Sequence, residues 1–273
     1  MTDNDSAVAV ASSTASVPAT VVSAETAAYV LGLGDDALIY AQRLGEWISR
    51  APQIEEDMAL GNIGLDLLGQ ARALLTRAGQ LDGTGRDEDR LAYFRDEREF
   101  RCVHLVQQPR GDFAHEMARL LWFSSYQTEL YAALAGSADE IVAGVARKAT
   151  KEVSYHRDHA RQWMLRLGDG TTQSHERMQD ALNWVSGYTS ELFFDDRVSV
   201  AAADSGIGVL PSRLLSGATQ FVQSVVAEAT LVMPDPPLQN ARGGRDGVHS
   251  QAMGYLLAEM QHIARSHPDA TSW

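Results

Sequence analysis

Asp66 and His156 are the residues whose type and placement come nearest to chemistry in this 273-residue sequence. Asp66 lies within IEEDMALGNIGLDLLGQARALLTR (Ile54–Arg77), and His156 within the stretch Asp139–Leu167. Both stretches have helical periodicity. An acid and an imidazole facing the inside of a helical bundle are the raw material of a di-metal carboxylate site. Such a site takes a Glu from each of two helices and a Glu-x-x-His from each of two others. The i,i+3 spacing puts both donors on one helix face. Here the pattern is broken, because Val153 stands three residues before His156 and Gly69 three after Asp66. The helix expected at Asp35–Ser49 has no acid between Asp36 and Glu46, and the run Met117–Thr128 holds no carboxylate. Of about six donors that two metal ions require, two can be placed. Asp66, Gly69, Val153 and His156 therefore read as the degenerate positions of a site without a metal, with no catalytic and no cofactor-binding residue to assign.

The other donor pairs have plainer readings. Glu152, four residues before His156, is either a ligand or one half of an ion pair with Lys148 or Lys151, and the ion pair is the preferred reading. His159 lies one turn beyond His156, but Ala160 occupies the seam there, which suits a solvated or hydrogen-bonded imidazole. The one literal Glu-x-x-His, Glu259–His262, falls on the last helix, where Leu256, Met260 and Ile263 set the buried face and leave His262 off it. Asp112-x-x-His115 begins a helix, where Asp112 serves as an N-cap, and Asp246–His249 reads the same way. Gly32-x-Gly34 follows no strand and lacks the third glycine of a nucleotide fingerprint. Trp122, Phe123, Tyr126 and Tyr131 recur at helical spacing, as core residues do, the alternative being a face buried against a partner subunit.

The elements that must position these residues are helices. Ser23 caps a short helix to Leu31 that Gly32 and Gly34 break. Asp35 and Asp36 then start a helix to Ser49, stopped by Pro52. The helix Ile54–Arg77 opens on Glu55, Glu56 and Asp57, where the helix dipole favours negative charge. Its apolar residues cover more than half its circumference, which predicts a central helix packed on several sides. Asn62, Asp66 and Gln70 form one narrow polar strip on it. Gly61, Gly64 and Gly69 each cost about 1 kcal/mol relative to Ala, and are tolerable where another backbone approaches closely. The connection to the preceding helix is short, so the two lie antiparallel.

A loop follows from Gly79 to Asp89, then one or two amphipathic helices over Arg90–Val106. Long helices are expected at Phe113–Ala135 and Asp139–Leu167. Val142, Val145, Ala149, Val153, His156, Ala160, Trp163 and Leu167 form the seam of the second. Shorter helices are expected at Ser174–Ser186, Pro211–Val232 and Val248–Ser266, with loop-like Phe193–Leu210 and Met233–Gly247 between them. The fold class is all-α, with four long core helices and additional C-terminal ones in a single domain over residues 23–273. Residues 1–22, rich in Ala, Ser, Thr and Val, read as a disordered tail.

Composition removes several function classes. A net charge of −13 leaves no basic footprint for nucleic acid or an anionic membrane. The single Cys102 rules out an internal disulfide and a cysteine-based metal cluster. No apolar run reaches the length of a membrane span, and the first basic residue is Arg43, unlike a secretory or Arg-rich transit signal. A cytoplasmic protein is expected.

Taken together, certain segments resemble the C subunits of the bacterial phenylacetyl-CoA epoxidases, which oxidise the aromatic ring at its 1,2 bond. They are RLGEW (Arg43–Trp47), DMALGNIGLDLLGQAR (Asp57–Arg72), YFRDEREFR (Tyr93–Arg101), GDFAHEMARLLWF (Gly111–Phe123), KEVSYHRDHARQWMLRLGDGT (Lys151–Thr171), VVAEATL (Val225–Leu231) and GYLLAEMQ (Gly254–Gln261). The likeness runs from about Tyr29 to the C-terminus. It implies a ferritin-like bundle and a multicomponent monooxygenase of aerobic phenylacetate breakdown. It also implies pairing with a homologous catalytic A subunit that carries the di-iron centre and the acyl-CoA substrate. A flavin and iron–sulfur reductase would bring electrons to that partner, and this chain would be the non-catalytic structural paralogue. Two alternatives remain: a di-iron oxygenase in its own right, using Asp66, Glu152 and His156, and a bundle that binds acyl-CoA without reacting.

Overall fold

The first long helix, α1, runs unbroken from Ala19 to Gly45, so Gly32 and Gly34 do not end a helix as expected. They sit where neighbours press close. A Cβ on Gly34 would lie 2.9 Å from a methyl of Leu75, and one on Gly32 would lie 2.9 Å from the Arg245 guanidinium. Asp35 and Asp36 are therefore buried in mid-helix instead of capping one. The computed structural model describes residues 19–235 and 240–270, with side chains from Ala24 onward. Of the expected N-terminal tail, residues 1–18 lie outside the described residues, and Ala19–Val22 form the first turn of α1.

A turn through Ser49, whose backbone is left-handed at φ 66°, reverses the chain into α2, Ile54–Leu81. Asp57 Oδ1 accepts the Ser49 backbone N–H at 2.6 Å and holds that turn. α1 and α2 pack antiparallel, with Gly64 set against Ala41 and Leu44. α2 is not enclosed on several sides as its breadth of apolar residues predicted. One face, carrying Leu60, Ile63, Leu67, Ala71 and Leu74, is in the core, while Ile54, Met58 and Leu65 are largely exposed.

Two short helices, α3 (Glu88–Tyr93) and α4 (His104–Gln107), bridge to the second long pair. α5 spans Phe113–Leu134 and α6 spans Glu140–Gly168. Both begin on side-chain caps. Asp112 accepts the His115 N–H, and Asp139 accepts those of Ile141 and Val142. Such caps satisfy amides that the first turn leaves open. The buried positions of α6 are Val142, Ala143, Ala146, Ala149, Val153, His156, Ala160, Met164 and Gly168. The expected seam holds at Val142, Ala149, Val153, His156 and Ala160, whereas Ala146, Met164 and Gly168 are buried in place of the partly buried Val145, Trp163 and Leu167. A strict 3.5-residue repeat drifts round a straight helix of 3.6 residues per turn, which accounts for the slippage.

The remaining helices clothe the four long ones. α7 (Thr172–Thr189) and α9 (Leu215–Glu228) lie against α5 and α6, α8 (Arg197–Asp204) lies against α1, and α10 (Gln251–Ser266) lies on α3 and α4. The expected helix Pro211–Val232 is a 3-10 turn, Pro211–Leu214, running into α9. No strand occurs among the described residues. Buried charges fasten the irregular segments. Asp35 pairs with Arg95 and accepts the Arg101 N–H at 2.8 Å. Asp36 pairs with Arg245 at 2.5 Å and accepts the Val103 N–H. Glu191 accepts the backbone N–H groups of His104 and Gly244. Burial pushes the Glu191 carboxyl up, but the bonds from His104 and these amides outweigh it and hold the group below its usual range.

Candidate functional site

The donors singled out from the sequence meet where α2 and α6 run antiparallel, and they meet as a ladder of pairs. Near one end Arg77 binds Asp139 at 2.6 Å. Next, the Gln70 amide donates to Glu152 at 3.1 Å, and its oxygen accepts the Tyr131 hydroxyl at 2.9 Å from α5. Then His156 Nε2 lies 3.0 Å from Asp66 Oδ2. At the far end Glu56 accepts the Trp163 indole N–H at 2.7 Å, with His159 Nε2 3.1 Å away but making no hydrogen bond.

His156 is 1% exposed and Asp66 is 38% exposed, so the pair reaches from the core to the rim. Burial pushes the His156 imidazole below its ordinary pKa, against the opposing pull of Asp66. It is therefore neutral at neutral pH and donates through Nε2 to the carboxylate, and its buried Nδ1 has no hydrogen-bond partner. The partner expected for Asp66 was an amide or an arginine; the structure supplies an imidazole. His159 is likewise pushed down by burial, and it faces Glu56 instead of solvent.

These residues do not fit a di-iron centre. Such a centre takes about four carboxylates and two imidazoles converging on two ions. Among the described residues no group of three or more His, Cys, Asp or Glu side chains is gathered closely enough to hold a metal ion. Val153, beside His156, is fully buried and apolar. Gly69 offers no donor, and a Cβ there would meet only the Lys148 ammonium at 4.0 Å. Glu152 is engaged by Gln70 and by Lys148 at 3.3 Å, as the ion-pair reading expected. Glu259 and His262 are exposed on α10. His115 lies 2.7 Å from its own cap Asp112. His249 is held by Gln107 and the Phe100 carbonyl.

Sequence reasoning missed a second buried cluster between α1 and α5. Glu116 is fully buried and accepts the Tyr40 hydroxyl at 2.8 Å and the Trp47 indole N–H at 2.9 Å. Arg119, also fully buried, lies 3.8 Å from Glu116 and donates to the Pro109 carbonyl at 2.6 Å. The signal was a Glu-x-x-Arg at one-turn spacing at the start of the acid-free run, opposite a Tyr on α1 and a Trp in the turn that follows it. This carboxylate also ties helices together. Among the described residues, Asp66, Glu152, His115, His249 and Glu116 are each engaged by another side chain or a backbone group, while His156 Nδ1 and His159 Nε2 are buried without a hydrogen-bond partner.

Fold and site together define an all-α, ferritin-like bundle whose inter-helix polar pairs close on one another. The sequence comparisons agree with that class. The profile of the family described as "Phenylacetic acid catabolic protein" matches residues 11–273, and the chain belongs to that family. It is also similar to a protein of Escherichia coli (strain K12), the C subunit of 1,2-phenylacetyl-CoA epoxidase. The two are 44% identical over 241 residues, covering 88% of this chain and 96% of that protein.

Proposed function

We propose that this chain is the structural, non-catalytic subunit of a multicomponent phenylacetyl-CoA 1,2-epoxidase. It acts in the cytoplasm, where it binds a paralogous catalytic A-type subunit and stabilises it. In this reading the di-iron centre and the acyl-CoA belong to that partner, and the flavin and iron–sulfur groups to a reductase. Asp66, Gly69, Val153 and His156 are the vestiges of a metal site, and residues 23–273 form one domain.

The observation that carries the reading is the closure of the α2–α6 seam. Its acid and its buried imidazole, Asp66 and His156, bind each other at 3.0 Å, with an apolar residue and a glycine at the adjoining ligand steps. The likeness to the C subunit of an epoxidase supports the same conclusion. The test is reconstitution: the purified paralogue is assayed for NADPH-dependent oxygenation of phenylacetyl-CoA with the reductase, with and without this chain. Activity and solubility of the paralogue should depend on this chain, and Asp66→Asn should leave turnover per assembled complex unchanged. Full activity of the paralogue alone, or loss of turnover in a fully assembled Asp66→Asn complex, contradicts the reading.

A further inference from the structure

The outward face of α2 has the composition of a buried helix. Ile54, Met58, Leu65 and Leu68 are 72%, 64%, 66% and 37% exposed. At 100° per residue they fall with Gly61 and Gly69 on one face of about 120°. From Met58 to Ala71 the only charged residue is Asp66, and it is engaged by His156. The face continues into a groove of about 480 Å³ whose walls include Ile48 of the α1–α2 turn, Tyr93 of α3 and Met260 of α10. Ile48 is itself more than half exposed.

Glycine costs a helix about 1 kcal/mol against Ala. Within this chain Gly64 accounts for that cost by its closeness to α1, but a Cβ at Gly61 would meet nothing within 4 Å, and one at Gly69 only a lysine tip. Among the described residues none makes the close approach these two positions allow. Apolar side chain exposed here amounts to on the order of 500 Å², the upper range for a monomer's largest patch and well towards the roughly 800 Å² per partner of a standard interface. The rim selects the occupant. Glu55 and Asp57 flank the apolar stripe, and Asp87 and Asp89, with one cation, Arg90, border the adjoining groove that shares Tyr93 and Met260, so the rim is acidic on balance. A second copy would bring the same acidic rim and the same net charge of −13, whereas a partner with basic flanks complements it.

We infer that this face of α2, with the groove beside it, is the docking surface for a helix of the paralogous catalytic subunit, presenting an apolar stripe with basic residues at its edges. The assignment rests on the pairing reading above and specifies its surface. The test is calorimetric titration of the full-length chain with the purified paralogue, using wild type, Leu65→Glu, Gly61→Leu, and Val232→Glu as an exposed control elsewhere. Circular dichroism checks that each variant is folded. Leu65→Glu and Gly61→Leu should each weaken binding by on the order of 100-fold, with Val232→Glu unchanged. If wild type and both α2 variants bind equally, this surface is wrong while the pairing reading stands. If wild type does not bind, the pairing reading fails and takes this surface with it. A homodimer of the chain that Leu65→Glu dissociates would overturn the choice of a paralogue as occupant.

Discussion

Removing the Glu116 carboxylate should be among the most damaging single changes in this protein. Glu116→Ala strips the Tyr40 hydroxyl and the Trp47 indole N–H of their acceptor and leaves Arg119 buried with its nearest anion gone. A hydrogen bond to a charged group contributes about 1.5–3 kcal/mol, and an ion left unpaired in the interior costs about 3–5 kcal/mol. These overlap, so the expected loss is about 4–6 kcal/mol, a large share of a typical domain's stability. Urea unfolding followed by the fluorescence of the five tryptophans, Trp47 of the cluster among them, reads the loss. The double variant Glu116→Gln with Arg119→Met keeps an acceptor for Tyr40 and Trp47 while removing the stranded cation. It should recover to within about 2 kcal/mol of wild type, because replacing both members of a buried pair is far milder than breaking it. A Glu116→Ala loss under about 1 kcal/mol, or a double variant as unstable as the single one, would refute the reasoning.

Three other outcomes follow from the geometry. Val153→Glu restores a Glu-x-x-His spacing, yet it should retain no stoichiometric iron by plasma mass spectrometry and should lower the melting temperature, since it buries a carboxylate without a partner. Gly69→Ala should stabilise the isolated chain by up to about 1 kcal/mol, because its Cβ has space and the helix gains propensity; a drop in melting temperature would contradict this. Stability should fall as pH is lowered from 7.5 towards 6. His156, His159 and His249 are each held below their ordinary pKa by burial, so the unfolded chain takes up their protons first, below about pH 6.5, and is favoured. Asp36, pushed up to about 6 by burial against Arg245, works the other way only as pH drops through that value. A melting temperature flat over pH 7.5–6, or a slope unchanged by His156→Gln, would count against the assignment.

The helices α2, α5 and α6 were legible because their signals are local: the acidic first turn of Glu55, Glu56 and Asp57, Asp112 as a cap, and the apolar spacing along each of them. What was illegible depended on partners distant in sequence. Asp35 and Asp36 follow a Gly-x-Gly and look like a helix start. Only Arg95 and Arg245, separated by 60 and 209 residues from the acids they bind, show that they lie inside a helix. The strip of Asn62, Asp66 and Gln70 was read as a single face, but four-residue steps advance about 40° each round a helix. Asn62 is accordingly exposed, Asp66 half-buried and Gln70 buried. The breadth of apolar residues on α2 was legible, but its outward part, Ile54, Met58 and Leu65, is left exposed among the described residues. For the candidate site, the shortage of donors at Gly69 and Val153 could be read directly. The pairing of Asp66 with His156 and of Glu56 with His159 and Trp163 could not, because it depends on the register between α2 and α6.

The central claim is that this chain's inter-helix polar groups bind one another instead of a pair of redox metals. Metal analysis of the chain purified from iron-replete cells, alone and then separated from its assembled complex, tests it most directly. The account predicts far less than one iron per chain in both preparations, whereas about two irons per chain, with absorption from an oxo-bridged pair, would contradict it.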